Sequence, residues 1–183
     1  LFAHFFSSIK LSLAGFVLAV VIGIPLGLFM GYYKGMDSFF TPLFEVVRPI
    51  PPIAWIPMII IWFGIGETAK IVIVFIGAFT SIVLNTSAGI RAIDPLLISA
   101  GKVLGANRRQ LLVDVAMPAT IPAILAGIRT ALSSGWMCVV AAEMIAARQG
   151  VGFLIVRGQE IGDTALIVVC MLAIGIVSAL LSL

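Results

Sequence analysis

Long apolar runs separated by short polar segments dominate this chain. A membrane-spanning helix takes about 20 mostly apolar residues, and the pattern predicts four such helices, at residues 11–32, 71–90, 119–147 and 164–183. A fifth, less regular candidate follows Arg48, where prolines stand at 49, 51, 52 and 57. Proline removes a backbone donor and biases its predecessor away from helix. We therefore predict a proline-broken start here, followed by a short helix at about 55–63.

Two interpretations of this proline-rich segment remain open. It is either a turn at the membrane interface or irregular backbone that lines a water-filled path. Non-helical backbone at membrane depth is tolerated only when it is buried in protein or lines such a path. A second irregular segment, the glycine-punctuated stretch 148–163, predicts an interfacial hairpin or a short re-entrant helix.

Small residues recur every fourth position along the first predicted span, and this spacing places them on one face of a helix. Such a row allows another helix to approach closely inside a bilayer. We therefore predict that this face packs against protein, and that Pro25 kinks the helix. The row consists of Gly15, Ala19, Gly23, Gly27 and Gly31.

The second half of span 71–90 is unusually polar for a helix that faces lipid. Its side chains either form hydrogen bonds to neighbouring helices or line a path for a solute. The residues are Thr80, Ser81, Asn85, Thr86 and Ser87.

Two charges interrupt the next span, at Arg129 and Glu143. They are fourteen residues apart, about 21 Å along a helix, so they cannot pair with each other. Either they snorkel towards opposite membrane surfaces, or they act in gating or subunit contact, as intramembrane charges often do.

The most polar stretch, 91–118, lies between two spans and predicts a helical hairpin in water. Asp94 is a suitable N-cap, with Pro95 at the first helical position. Gly105 stands where a left-handed residue would end this first helix.

The second helix of the hairpin has its own signals. Asn107 and Gln110 are spaced as in a capping box, and Pro118 is predicted to mark the end of the helix. A membrane protein that folds a hairpin in a loop is presenting it to a partner.

Composition agrees with a membrane protein. Of 183 residues, 62% are hydrophobic and 10% are charged, and the mean hydropathy is +1.24. The net charge of +3 reflects basic residues at span ends, which is typical of loops retained in the cytoplasm and gives no indication of nucleic-acid binding. Cys138 and Cys170 lie in apolar runs, which predicts packed thiols without a disulfide or redox role.

No catalytic or metal-binding constellation is present. His4 is the only histidine, which excludes a catalytic triad, an HExxH motif and paired histidine ligands. The sequence contains no GxxxxGK[ST] motif, so this chain has no P-loop for nucleotide phosphates. We predict a protein that is not an enzyme and binds no cofactor itself. ATP hydrolysis, if transport requires it, belongs to another subunit.

Basic residues give a weak indication of orientation. Placing 91–118 in the cytoplasm puts six basic residues on that side and four on the other. The six are Lys34, Arg48, Arg91, Lys102, Arg108 and Arg109, and the four are Lys10, Lys70, Arg148 and Arg157.

The polar stretch resembles the cytoplasmic signature of binding-protein-dependent ABC importer permeases: Glu-Ala-Ala, three residues, Gly, nine residues, then Ile-x-Leu-Pro. The spacing holds from 99 to 118, with Gly105 and Pro118 in place. Ser99 replaces the acidic residue and Gly101 the second alanine, so the resemblance carries over the docking geometry but no salt bridge from position 99.

Other segments resemble the nitrate/sulfonate/taurine branch of that family, among them RPIPPIAWIPMIIIWFGIGE, LNTSAGIRAIDP, MPATIPAILAGIRTAL and GWMCVVAAEMIAARQGVGFLI. FGIGETAKI is more similar to the taurine and alkanesulfonate subgroup. The resemblance implies an all-α type I importer permease, a single transmembrane domain over 1–183 with about five spans here and another preceding Leu1.

The resemblance also implies a multi-pass protein of a prokaryotic plasma membrane. Its partners would be a second copy of itself, two ATPase subunits carrying ATP and Mg²⁺, and an extracytoplasmic substrate-binding protein. The hairpin 91–118 would be the coupling element that docks on the ATPase. Its coupling residues would be Ser99, Ala100, Gly101, Gly105, Ala106, Asn107, Arg108 and Pro118, and the candidates for the translocation path are Asn85, Ser133, Ser134 and Glu143.

The predicted function is inward transport of a small organic anion, such as a sulfonate or taurine, by alternating access. Nitrate, bicarbonate, an aromatic carboxylate or a vitamin precursor are alternatives within the same class. An ion-gradient-driven secondary transporter is the rival from another class. It predicts carboxylates near the membrane midplane and duplicated halves, whereas a channel or scaffold would not need a structured hairpin.

Overall fold

The computed structural model describes residues 2–146 and 149–182, without the side chains of 2–5, 108, 146 and 182. Its described part is all helical. Predicted boundaries at Leu1, Ala147, Arg148 and Leu183 lie outside the described residues. The α-helices are α1 (Phe2–Tyr32), α2 (Lys34–Val47), α3 (Ile56–Phe63), α4 (Glu67–Arg91), α5 (Pro95–Val103), α6 (Arg108–Gln110), α7 (Met117–Ala146), α8 (Val151–Ile161) and α9 (Thr164–Ser182).

The predicted number of spans is confirmed. Within the described residues, four helices are long and apolar enough to cross a membrane, and the bent pair formed by α2 with 52–63 brings the number to five if it is one broken span. The first span was predicted too short, because α1 begins at Phe2 and not at 11. Lys10 ends the apolar run without ending the helix, since an exposed lysine can remain helical while its ammonium stays in water.

Helix α4 lies between α1 and α7 and forms the centre of the packing. Ala19 of α1, Ala78 and Ile82 of α4, and Ala131 of α7 form one fully buried cluster. Alanine at these crossings keeps the helices close, as is usual in bilayers.

The small-residue row of α1 packs against α4, as the sequence predicts. A Cβ added at Gly15 would lie 2.6 Å from the backbone oxygen of Ile71, and one at Gly27 would lie 2.7 Å from the Cβ of Thr86. The backbones approach too closely here for any side chain. Pro25 lies within the same helix, which continues on both sides of it.

The proline-rich segment adopts the predicted break. A 3-10 turn at Pro52–Trp55 precedes α3, and the chain bends by 83° between α2 and Pro52–Phe63. Helix α2 itself had no counterpart among the sequence predictions. It is amphipathic, with Phe39 exposed and Phe44 buried. Phe44 packs with Met30 of α1 and Val83 of α4, and this contact holds α2 against the core.

The prediction that Pro118 ends a helix is wrong. A π-helical segment, Leu111–Ala116, joins α6 to α7, and Pro118 lies in the first turn of α7. The amide of Met117 donates to the oxygen of Leu112, five residues back. This wider turn leaves room for the proline ring, which would clash with a carbonyl four residues back in a regular helix.

The remaining elements lie beside this core. The predicted short helix of segment 148–163 is α8, and α9 packs against it and against α7. The indole nitrogen of Trp136 donates to the oxygen of Ile174, 3.3 Å away, and so ties α7 to α9. Cys138 and Cys170 are buried free thiols, as predicted.

Candidate functional site

The first helix of the hairpin, α5, ends and begins as its sequence predicts. The carboxylate of Asp94 accepts a hydrogen bond from the amide of Leu96 at 2.8 Å. At the other end Gly105 has φ of +82°, a left-handed conformation that favours glycine. The amides of Gly105 and Ala106 donate to the oxygens of Lys102 and Gly101, both at 3.0 Å. This pair of bonds is the Schellman motif that satisfies the last carbonyls of a helix.

The second helix is capped reciprocally. The amide of Asn107 donates to Gln110 Oε1 and the amide of Gln110 donates to Asn107 Oδ1, both at 2.9 Å. Gly101 is buried against Leu111, and an added Cβ would lie 2.6 Å from Leu111 Cδ2. Gly101, which stands where the family signature has its second alanine, therefore allows the two arms of the hairpin to pack closely.

The structure places the predicted coupling residues on or beside an exposed surface. Ser99, Ala100 and Asn107 are exposed, Ala106 is partly exposed, and the side chain of Arg108 lies outside the described residues. Ser99 Oγ donates to the oxygen of Pro95 at 2.9 Å, so in this chain the hydroxyl is bound within its own helix.

Sequence reasoning missed the apolar residues of this surface. Val103 is 88% exposed and Leu104 is 86% exposed, and Leu96 and Leu97 are exposed beside them. The signal was available, since these side chains are apolar inside the most polar stretch of the chain. Together they define an exposed apolar tip of the hairpin (Leu96, Leu97, Val103 and Leu104).

A cavity of about 290 Å³ lies where the proline-rich segment meets α4 and α7. We call it the central cavity. Its lining residues are Val47, Arg48, Ile50, Pro52, Trp55, Ile76, Gly77, Thr80, Ser81, Leu84, Asn85 and Ser134. The proline-rich segment therefore lines a cavity, which favours the path-lining interpretation over a simple interfacial turn.

Three of the five polar residues of α4, Thr80, Ser81 and Asn85, line this cavity. Thr86 instead packs against α1 at Gly27, and Ser87 lines the second cavity described below. Thr80 Oγ1 donates to the oxygen of Ile76 at 3.5 Å, and Asn85 Nδ2 donates to the oxygen of Ser81 at 2.8 Å, both within α4. Of the predicted path residues, Asn85 and Ser134 line the central cavity together, whereas Ser133 and Glu143 are not among its lining residues.

A second cavity, of about 650 Å³, lies beside the central cavity towards the hairpin end of α4, with Arg48, Leu84 and Asn85 lining both. Arg91 lines this second cavity and forms an ion pair with Asp37 of α2. Its guanidinium also donates to Ser87 Oγ at 3.0 Å. The charge of Arg91 is thus balanced by a neighbouring carboxylate.

Glu143 is fully buried, so of the two alternatives for this residue, snorkelling to the membrane surface is wrong. Its carboxylate accepts hydrogen bonds from Ser8 Oγ at 2.6 Å and from the amide of Gly152 at 3.2 Å, and Lys70 Nζ lies 3.8 Å away. These partners come from α1, α8 and α4, and they provide the pairing that a buried charge requires. Arg129, in contrast, is exposed.

The comparisons with known proteins decide the family. Residues 23–183 match the family described as "Binding-protein-dependent transport system inner membrane component". The chain belongs to this family of inner-membrane transport components. Membership in this family assigns the chain to transport subunits and not to enzymes. It also weighs against an ion-gradient-driven secondary transporter.

Several curated relatives agree with this family. A putative ABC transporter permease of Methanocaldococcus jannaschii is 43% identical over 175 residues, covering 95% of this chain and 66% of that protein. The taurine transport system permease TauC of Escherichia coli is 37% identical, covering 100% and 66%. The nitrate import permease NrtB of Leptolyngbya laminosa is 31% identical, covering 100% and 65%. The chain therefore spans about two thirds of the length of these relatives.

Solved structures confirm the fold of this family member. A structure of the MetNI methionine ABC transporter in inward-facing conformations matches with a TM-score of 0.84 and 20% identity, covering 96% of this chain and 88% of that chain. At this identity the likeness concerns the fold alone. It is the type I ABC importer permease fold that the resemblance implied.

Proposed function

We propose that this chain is the transmembrane permease subunit of an ABC importer that moves a small organic anion, similar to a sulfonate or taurine, into the cytoplasm. Two copies of the permease would assemble with two ATPase subunits, which carry ATP and Mg²⁺, and with an extracytoplasmic substrate-binding protein. ATP-dependent closure of the ATPases would move the two hairpins together and so shift the spans between inward-open and outward-open states.

The observation that carries this proposal is the exposed apolar tip of the hairpin. The caps at Asp94, Gly105 and Asn107 hold the hairpin rigid, so an exposed Val103 and Leu104 are presented in a fixed arrangement. Rigid, exposed apolar side chains on a water-facing element are typical of a protein-binding surface. The hairpin leads through the π-helical segment into α7, which carries Ser134 of the central cavity. Movement of a docked partner would therefore reach the cavity through one continuous element.

The docking step is tested with Leu104→Asp in the full-length permease, co-expressed with its ATPase. An aspartate at the centre of an apolar contact loses the buried area and adds a charge to desolvate. We expect the ATPase to be lost on affinity purification of the permease. Ile161→Asp is the matched control, because Ile161 is also exposed but lies in α8, at the other end of α7. Retention of the ATPase at wild-type stoichiometry in Leu104→Asp would contradict the docking role.

The solute is tested on the cognate binding protein, which delivers it to the permease. We expect its thermal unfolding to shift upwards with taurine or an alkanesulfonate, because a ligand that binds only the folded state stabilises it. Nitrate is the second candidate, since a nitrate import permease is 31% identical to this chain over its whole length. A shift with nitrate and not with sulfonates would replace the first candidate by the second.

A further inference from the structure

Arg48 occupies a defined corner of the fold. It is the C-cap of α2, and its amide donates to the oxygen of Phe44 at 2.8 Å. Prolines at 49, 51 and 52 follow it and prevent the helix from continuing. The backbone that carries this guanidinium is therefore fixed where the chain turns towards α3.

Arg48 also supplies the only charge among the described residues that line the central cavity. The other polar side chains there are those of Trp55, Thr80, Ser81, Asn85 and Ser134. All of them contain hydrogen-bond donors, although the hydroxyl of Thr80 already donates within α4. A cavity with one cation, several donors and no carboxylate in its described lining has a positive potential.

The charge of Arg48 is not neutralised as that of Arg91 is. Arg91 is paired with Asp37, whereas in residues 2–146 and 149–182 no carboxylate lies within ion-pair distance of Arg48. Glu45, one turn earlier in α2, lines the second cavity with Arg48 but is not paired with it. The positive charge thus remains available to a ligand.

We propose that Arg48 selects anions in the central cavity. Its planar guanidinium would bind two oxygens of a sulfonate, nitrate or carboxylate group. Ser81, Ser134 and the second amide hydrogen of Asn85 would donate to the same group. A volume of about 290 Å³ has room for a small oxyanion. This inference rests on the proposed function and names the residue that gives the importer its preference for negative charge.

The first test measures anions in the cavity without requiring the transported solute to be known. Trp55 lines the cavity, so in a full-length permease whose other tryptophans are replaced by Phe its fluorescence reports which solutes arrive there. We compare quenching by iodide, an anion, with quenching by acrylamide, which is neutral. Arg48→Gln should lower the iodide quenching constant at least about threefold, because the attraction of one unit charge is lost. Acrylamide quenching should not change, and Arg48→Lys should restore the iodide response.

The matched control is Arg157→Gln, which removes a charge from the exposed face of α8 and should leave iodide quenching unchanged. Equal iodide quenching in the wild type and in Arg48→Gln would overturn the proposal. If Arg48 only stabilises the C-terminal dipole of α2, Arg48→Gln should lower thermal stability without changing the ratio of iodide to acrylamide quenching. That result would also overturn the proposal.

The second test measures transport by the complete complex in proteoliposomes, with labelled taurine and nitrate as probes. Arg48→Gln should reduce the maximal rate at least about tenfold, the loss expected for one charge-assisted hydrogen-bonded contact. The apparent KM should change little, because the binding protein sets it. Co-purification of the ATPase subunits with the permease, which reports assembly, should persist. Wild-type transport rates in Arg48→Gln would overturn the inference about Arg48 but not the proposed function. A wild-type complex that transports neither probe would count against the proposed function. In that case iodide quenching would still decide the role of Arg48.

Discussion

The contact between α1 and α4 gives the sharpest prediction about stability. We consider Gly27→Ala, which adds one methyl group within that close contact. The new Cβ would lie 2.7 Å from Thr86 Cβ and 2.8 Å from the oxygen of Val83. Carbon atoms in contact are normally at least about 3.5 Å apart, so the helices must separate by roughly 0.8 Å. Neither obstacle can yield easily, because one is backbone and the other a β-branched side chain.

The cost can be isolated by comparison with Gly175→Ala in α9, where nothing lies within 4 Å of the added Cβ. Both changes gain about 1 kcal/mol from helix propensity, so this contribution cancels. What remains is the overpacking at Gly27, which we expect to cost about 1–3 kcal/mol. Thermal unfolding of the two purified full-length variants should then differ by roughly 2–12 °C, with Gly27→Ala the less stable.

A second control lies on α1 itself. Val21 is 62% exposed, on a face away from α4, so Val21→Leu should leave the unfolding temperature almost unchanged. If Gly27→Ala and Gly175→Ala unfold at the same temperature, α1 and α4 do not pack as closely as the structure places them. The small-residue row would then face lipid and not protein.

Three further tests concern the hairpin, the cavity and the buried carboxylate. Gly105→Val should reduce coupled ATP hydrolysis and uptake while membrane insertion persists, because valine resists φ of +82°. Gly105→Asn should retain part of the activity. Normal coupling in the valine variant would remove the hairpin from the mechanism. Asn85→Cys and Ser134→Cys, each in a background without native cysteines, should react with a small membrane-impermeant thiol reagent, and their reactivity should change when ATP and vanadate trap the other state. Leu172→Cys, exposed on apolar α9, is the control and should stay inert. Inert cysteines at both cavity positions would contradict their place on the solute path. Glu143→Ala should destabilise the protein by about 3–5 kcal/mol, as expected when one partner of a buried pair is removed. Glu143→Gln should lose less stability, because its amide retains hydrogen bonds. An unchanged unfolding temperature in both variants would contradict the buried network.

Features that depend on neighbours in the chain could be predicted from the sequence. The N-cap at Asp94, the left-handed Gly105 and the reciprocal caps of Asn107 and Gln110 each involve residues at most five positions apart, so the local pattern contains both partners. The proline-broken start of α3 follows from the same kind of argument, because proline acts on its own turn. Pro118 failed as a boundary because a π-helical turn, which no local rule predicts, makes room for it.

The sequence by itself therefore determined the spans, the hairpin and the small-residue face of α1, since hydropathy and capping are properties of contiguous residues. Only the tertiary structure decided the environment of each polar side chain. Ser8 and Glu143 are 135 residues apart and share a buried hydrogen bond. Arg48, just before the proline-rich segment, and Ser134, within α7, line the same cavity. A lone charge in an apolar run is compatible with snorkelling, with burial against a partner or with a cavity. The choice among them depends on which helix faces meet, and that is fixed by the packing of α1, α4 and α7 around their small residues.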